Sequence, residues 1–308
     1  MTSPLLKVEN LITYFDITSG ILGNTTHVIP AVDDVSFNIY SSQTFSLVGE
    51  SGCGKSTVAR SILKLIQPKS GKIVFKGVDV LNASNKEMLS VRANMQMVFQ
   101  DPFSSLDPRM TIANAIAEPL RTHKICKRNE VADRVDELLT RVGLLPDHGK
   151  RFPHEFSGGQ RQRICIARAL GPKPALIIAD EAISSLDVTV QAQIINLLMD
   201  LQHEYGISYL FISHDMAVVE RISHTVAIMY LGKIVEIGTR AQVFENPKHS
   251  YTIKLLNSVP IPDPTIKKER EKITFEEVPS QIKPIDFNSA PSKMNELLIF
   301  FVKILNYF

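Results

Sequence analysis

Five short stretches of this 308-residue chain carry side chains whose types and spacing can do phosphate chemistry. Gly49-Glu50-Ser51-Gly52-Cys53-Gly54-Lys55-Ser56 satisfies GxxxxGK[ST]. Its glycines let backbone N–H groups turn inward on phosphate oxygens, and the helix that follows adds the positive end of its dipole. Lys55 would reach the β- and γ-phosphates, Ser56 would ligate Mg²⁺, and Thr57 is a further phosphate contact. Cys53 is read as a backbone contributor with an incidental side chain. Asp180 ends an apolar run, where a carboxylate can hold Mg²⁺ directly or through water. Glu181 follows it and is the candidate to polarise an attacking water. An acidic pair at a strand end also fits a helix N-cap; the phosphate loop upstream decides for chemistry. His214, in Ser213-His214-Asp215, ends the next apolar run and is placed to contact a γ-phosphate. Gln100 follows Met97-Val98-Phe99 and can contact Mg²⁺ and the water. Ser157-Gly158-Gly159-Gln160 opens a helix whose first N–H groups can meet an anion.

The elements that must position these residues are legible as hydrophobic periods. Residues 5–10 and 31–39 alternate apolar and polar, as strands of a half-exposed sheet do, and residues 18–30 between them read as a loop. Residues 45–48 form a short apolar strand feeding the phosphate loop, residues 56–66 a helix after it, and residues 72–75 a small strand. Val131, Val135, Leu138, Leu139 and Val142 make the core-facing stripe of an amphipathic helix. Residues 161–170 form another helix, closed by Gly171-Pro172. Residues 176–179 form a near-continuous apolar run, as in a buried parallel sheet, and residues 208–212 another buried strand. Residues 190–205 are helical, and residues 226–230 and 233–237 pair around Leu231-Gly232. Past Pro247 the pattern fades. Strands alternating with helices give an α/β parallel sheet with a helical insertion, residues 101–172, between its halves.

Composition removes several classes. A formal net charge of +2 gives no support to a nucleic-acid-binding field. Cys53, Cys126 and Cys165 are scattered, without CxxC spacing, and fit a reducing compartment better than a disulfide frame or zinc site. No secretory signal and no apolar run of membrane-spanning length is read from the sequence.

These motifs, in this order, resemble the ATP-binding-cassette (ABC) ATPases. The phrases Ala31-Val32-Asp33-Asp34-Val35-Ser36-Phe37, Val98-Phe99-Gln100-Asp101-Pro102-Phe103 and His154-Glu155-Phe156-Ser157-Gly158-Gly159-Gln160 are most similar to the oligopeptide/dipeptide importers, in particular their F-type ATPase. Nickel, opine and glutathione importers share much of the pattern. The resemblance implies a RecA-like P-loop core with an antiparallel β subdomain and an inserted α-helical subdomain. The cassette is expected over residues 1–246 and a C-terminal extension over 247–308. It implies ATP and Mg²⁺ as ligands, and Phe15 as the residue stacked on adenine. It makes Gln100 the Q-loop residue, residues 157–160 the signature, residues 184–187 the D-loop and His214 the switch histidine. It also implies a second cassette, a paralogue, completing the ATP sites. Two transmembrane permease subunits and, indirectly, a solute-binding protein would follow, with this chain peripheral on the cytoplasmic face of the inner membrane.

Three departures from that pattern stand out. Ala182 replaces the usual Pro after the acidic pair, and Phe156 the commoner Leu before the signature. After Val278-Pro279-Ser280-Gln281-Ile282-Lys283-Pro284 the cysteine-rich segment of some members is missing, so no iron–sulfur cluster is expected. Residues 297–308 form an apolar tail that reads as a buried helix or, alternatively, a membrane or partner contact. Two other readings are weaker. A soluble ABC ATPase acting on nucleic acid would carry two cassettes or long heptads, which are not seen. A catalytically dead paralogue conflicts with the intact Lys55, Asp180, Glu181 and His214.

Overall fold

The apolar runs preceding the phosphate loop, Gln100, the Asp180-Glu181 pair and His214 are strands of one sheet. The computed structural model describes residues 3–19 and 24–258. In chain order the elements are β1 (Leu6–Ser19), β2 (Asn24–Ile39), β3 (Thr44–Val48), α1 (Lys55–Ile62), β4 (Ser70–Phe75), β5 (Val78–Asp79), α2 (Asn85–Asn94) and β6 (Met95–Val98). The insertion follows, with α3 (Ile112–Thr122), α4 (Val131–Arg141) and α5 (Gly158–Leu170). The chain then returns through β7 (Leu176–Asp180), α6 (Val188–Tyr205), β8 (Ser208–Ser213), α7 (Met216–Ile222), β9 (Thr225–Tyr230), β10 (Lys233–Thr239), α8 (Arg240–Glu245) and α9 (Ser250–Asn257).

Six strands form one sheet in the order β10-β9-β3-β8-β7-β6. All neighbours are parallel except β10, which pairs antiparallel with β9. Strand side chains alternate between two separate cores. Phe45 and Leu47 of β3, Leu176 and Ile178 of β7, and Leu210 and Ile212 of β8 join one. Val48, Ile177, Ala179, Tyr209 and Phe211 join the other. With both faces dry, these strands must be apolar at successive positions, which is why they read as continuous runs. Polar residues appear where the strands end, and the carboxyl ends of a parallel sheet are where its crevice forms.

The second sheet, β2-β1-β4-β5, is antiparallel and covers the first core. Of the segment expected as a loop, residues 18–19 and 24–30 are strand. β1 runs to Ser19 and β2 starts at Asn24, with Thr18 opposite Thr25 and Phe15 opposite Ile29. The β-branched residues Ile17, Thr18, Thr25, Thr26, Val28 and Ile29 outweigh the glycines as strand formers. The first helix also stops early, at Ile62 rather than residue 66. Lys64 takes a left-handed φ of 55°, and the Leu65 N–H turns back to the Arg60 carbonyl.

The insertion helices pack together through the stripe expected of them. Val131, Val135, Leu138, Leu139 and Val142 are all buried. Past Pro247 the described residues still form a helix: α9 packs Tyr251, Leu255 and Leu256 against the second core. An eight-residue helix gives only two apolar turns, too short a period to stand out in sequence. The apolar tail and the cysteine-free stretch lie outside the described residues. Among those described, no helix is long and apolar enough to cross a membrane.

Candidate functional site

β3 delivers the chain into the phosphate loop, and α1 leaves it with Lys55 as its first residue. Gly54, which caps α1, has φ 110°, and a Cβ there would lie 2.0 Å from the Ala31 carbonyl oxygen. Only glycine meets both demands. Lys55 is 3% exposed, and its Nζ donates to the carbonyls of Gly49 and Glu50, both at 2.8 Å. Its charge is thereby centred within the loop. Cys53 is more than incidental: its buried Sγ lies 3.8 Å from Lys55 Nζ and packs into the core beneath the loop. Burial pushes its thiol upward, so it stays a neutral packing group.

β7 brings the acidic pair against this loop. The Ser56 hydroxyl donates to Asp180 Oδ1 at 2.8 Å. Burial pushes the Asp180 carboxyl above the usual range, while the Ser56 hydrogen bond and the charges of Arg60 and Lys55 pull it partly back. A buried carboxylate paired with a hydroxyl is a hard-oxygen donor set, so Ser56 and Asp180 fit a divalent cation such as Mg²⁺. Glu181 Oε1 lies 3.9 Å from Lys55 Nζ and 3.6 Å from His214 Nδ1. The Glu181 side chain is 12% exposed and that of His214 53%, so the pair bridges the interior and the solvent. Glu181 has φ 46°, a left-handed conformation costly to a residue with a Cβ, and its N–H is tied to the Ile212 carbonyl at 3.0 Å. The neighbouring strand thus holds the carboxylate in a position its own backbone disfavours.

Gln100 emerges on the same side of the sheet. Val98 pairs with Ala179, so the chain beyond β6 runs beside Asp180 and Glu181, with Gln100 exposed. Ser51 and Gly52 are exposed on the loop, and Thr57 is partly buried in the first turn of α1. Phe15 is exposed on β1; among the described residues no hydrogen bond, ion pair or ring contact joins it to the loop.

The signature residues form a separate unit. Ser157 caps α5, accepting the Gln160 N–H at 3.3 Å, and the Gln160 side chain accepts the Ser157 N–H at 3.0 Å. A Cβ on Gly159 would meet Val190 Cγ1 at 2.5 Å, and one on Gly158 would touch Leu186. The turn therefore sits directly on the D-loop and the start of α6. That D-loop is braced: Ser184 donates to the Glu181 carbonyl, and Gln191 Nε2 to the carbonyls of Ile183 and Leu186. Among the described residues no hydrogen bond or ion pair links residues 157–160 to the phosphate loop.

Two contacts were not anticipated from the sequence. Arg161, 7% exposed, donates to the Pro153 carbonyl and lies under the Phe103 ring, 3.5 Å from its centroid. The Glu50 N–H of the phosphate loop donates to the Tyr251 hydroxyl of α9. No spacing signal connects residues 201 positions apart.

A family model described as "ABC transporter" matches residues 32–184, and one described as "Oligopeptide/dipeptide transporter, C-terminal region" matches residues 235–284. The glutathione import ATP-binding protein GsiA of Pectobacterium atrosepticum is 54% identical over 282 residues, 92% of this chain and 45% of the relative. The protein of that name from Escherichia coli K12 is 55% identical over 279 residues, 91% and 45% respectively. The chain thus spans about half the length of the curated relatives it matches. A solved dimeric ATP-binding cassette, in a post-hydrolysis state bound to ADP and Pi, aligns with TM-score 0.68 at 26% identity, over 76% of this chain and 98% of that one. The cassette cbiO1 of Clostridium perfringens, part of an ABC transporter complex, aligns with TM-score 0.67 at 27% identity, over 80% and 92%.

Proposed function

This chain belongs to the ABC transporter family of ATP-binding cassettes, on its oligopeptide/dipeptide branch, and from that premise we propose that it is the ATP-hydrolysing subunit of an importer for short peptides or glutathione-like solutes. The observation that carries this reading is the convergence of Lys55, Ser56, Asp180, Glu181 and His214 at the carboxyl ends of β3, β7 and β8.

In this reading the loop N–H groups and Lys55 bind the phosphates of ATP, and Phe15 stacks on adenine. Ser56 and Asp180, with Gln100 beside them, would hold Mg²⁺, which supplies neutralisation of charge on the phosphate oxygens. Glu181 accepts the proton of the water that attacks the γ-phosphate, and His214 orients that water and the γ-phosphate. The proton moves onto a carboxylate whose neighbours, Lys55 and His214, are already in place. Residues 157–160 serve the ATP of a second cassette, an arrangement supported by the dimeric, ADP-bound relative. Two permease subunits and a solute-binding protein complete the importer, with the cassettes peripheral at the cytoplasmic membrane face. The glutathione branch is favoured within the peptide class because relatives of that name match at 54–55% identity.

Glu181→Gln tests the reading. Nucleotide binding should persist, while ATP turnover of the membrane assembly falls by at least about a hundredfold, the contribution of a positioned general base. Near-normal turnover in that variant would overturn the assignment. The ligand carried by the co-purifying binding protein separates glutathione from longer peptides.

A further inference from the structure

The phosphate loop is gripped from behind by parts of the chain that carry none of its motifs. The Leu231-Gly232 turn between β9 and β10 donates its Gly232 N–H to the Cys53 carbonyl at 3.0 Å, and its Gly232 carbonyl accepts the Asp33 N–H at 2.8 Å. Tyr230, the last residue of β9, stacks against Tyr251 with centroids 4.3 Å apart and planes tilted by 38°. Tyr251 then accepts the Glu50 N–H at 3.3 Å. The loop is thus fixed at two backbone points, Cys53 and Glu50, one on each side of its glycine-rich centre.

The start of α9 is itself tethered. The Glu236 carboxylate of β10 accepts the N–H groups of Lys248 at 2.8 Å and His249 at 3.0 Å. His249 Nδ1 accepts the Tyr251 N–H at 3.2 Å. Burial pushes the Tyr251 phenol up to about 12, so it remains a neutral hydroxyl at physiological pH. A partly buried tyrosine whose oxygen meets a backbone N–H of a ligand loop has two parts with separate effects: a ring that packs and a hydroxyl that aims the loop.

We propose that Tyr251 is a positioning residue for the phosphate loop, through which the segment after the last sheet strand sets how tightly the loop holds ATP. The proposal rests on the nucleotide-binding reading above and adds a route of control to it. Any event that shifts α9, such as a contact made by the chain beyond it or by another subunit, changes the loop at Glu50 without touching a motif residue. At 3.3 Å the bond is long, so its effect is a modest factor on affinity.

The test uses the full chain and a fluorescent ATP analogue with Mg²⁺. Tyr251→Phe keeps the ring and removes only the hydroxyl. It should raise the Kd, and the KM for ATP, by about three- to fivefold, the worth of one ordinary neutral hydrogen bond. kcat at saturating ATP and the Tm should stay at wild-type values. Tyr205→Phe, a distant tyrosine bonded to Arg141, should leave Kd unchanged. Glu236→Gln, which weakens the tether, should raise Kd in the same direction by less. An unchanged or lowered Kd for Tyr251→Phe overturns the proposal, as does a change that only follows a fall in Tm. Lys55→Ala separates the two levels: if it binds the analogue as well as wild type, the nucleotide site itself is misassigned. If it loses binding while Tyr251→Phe does not, only the role of Tyr251 fails.

Discussion

The phosphate-loop region and the signature region are built from similar parts and are finished to different degrees. Both set glycines at the start of a helix. Around the phosphate loop, Lys55, Ser56, Asp180, Glu181 and His214 meet one another within this chain. The signature turn is just as firmly made, with a reciprocal cap between Ser157 and Gln160 and close contact with Val190 and Leu186. Yet among the described residues no hydrogen bond or ion pair joins residues 157–160 to Lys55, Asp180, Glu181 or His214. The difference teaches that rigidity and completeness are separate properties. In the reading proposed above, one region is a half-site with its own chemistry and the other a braced surface for chemistry supplied by a second cassette.

Variants of the second region can break or sharpen that contrast. The largest effect is expected from Gly159→Leu, because even a Cβ there collides with Val190. If the proposed importer is right, ATP turnover of its assembly should fall by about a hundredfold, the scale of losing a preorganised N–H donor at a reacting group. Nucleotide affinity of the isolated chain, measured under dilute conditions, should not change. A loss of affinity there would break the comparison. Ser157→Ala removes the cap and should lower stability by about 1 kcal/mol in thermal or urea unfolding, again with unchanged affinity. The smallest effect belongs to the first region. Burial opposes ionisation of Glu236, and the hydrogen bonds donated to it outweigh burial, so its carboxyl sits below the usual range. A lowered folded-state value means the stabilisation is present above the ordinary carboxylate range and is lost as pH falls through the lowered value. The Tm gap between wild type and Glu236→Gln should therefore be visible at neutral pH and close in acid, with a magnitude under about 1 kcal/mol. The gap for Ser157→Ala should show no such closure.

Much of this contrast was legible in the sequence because strands dry on both faces are apolar at most positions. Residues 176–179 and 208–212 announced a sheet buried on both sides, and Asp180-Glu181 and His214 follow close behind them. The hairpin at Leu231-Gly232 and the stripe from Val131 to Val142 were equally direct. The misses have a common physical cause, which is pairing with something remote. Residues 18–19 and 24–30 look like a loop until the two strands face each other, since the nearby glycines suggest a break in pairing there. α1 ends at Ile62 because the backbone at Lys64 folds back, which no periodicity encodes. Tyr251 reads as one aromatic in a fading pattern, and its role exists only once α9 docks beneath a loop 201 residues away.

Asp180 and Glu181 are neighbours, and each is held in a state that its own chemistry resists. Burial disfavours the charge of Asp180, and the left-handed backbone disfavours the shape of Glu181. The strands behind them are packed on both faces and carry no comparable conflict. Two local conflicts, one of charge and one of backbone shape, thus fall on consecutive residues at the end of one dry strand. In the reading proposed above, the reaction is mounted where these two conflicts adjoin.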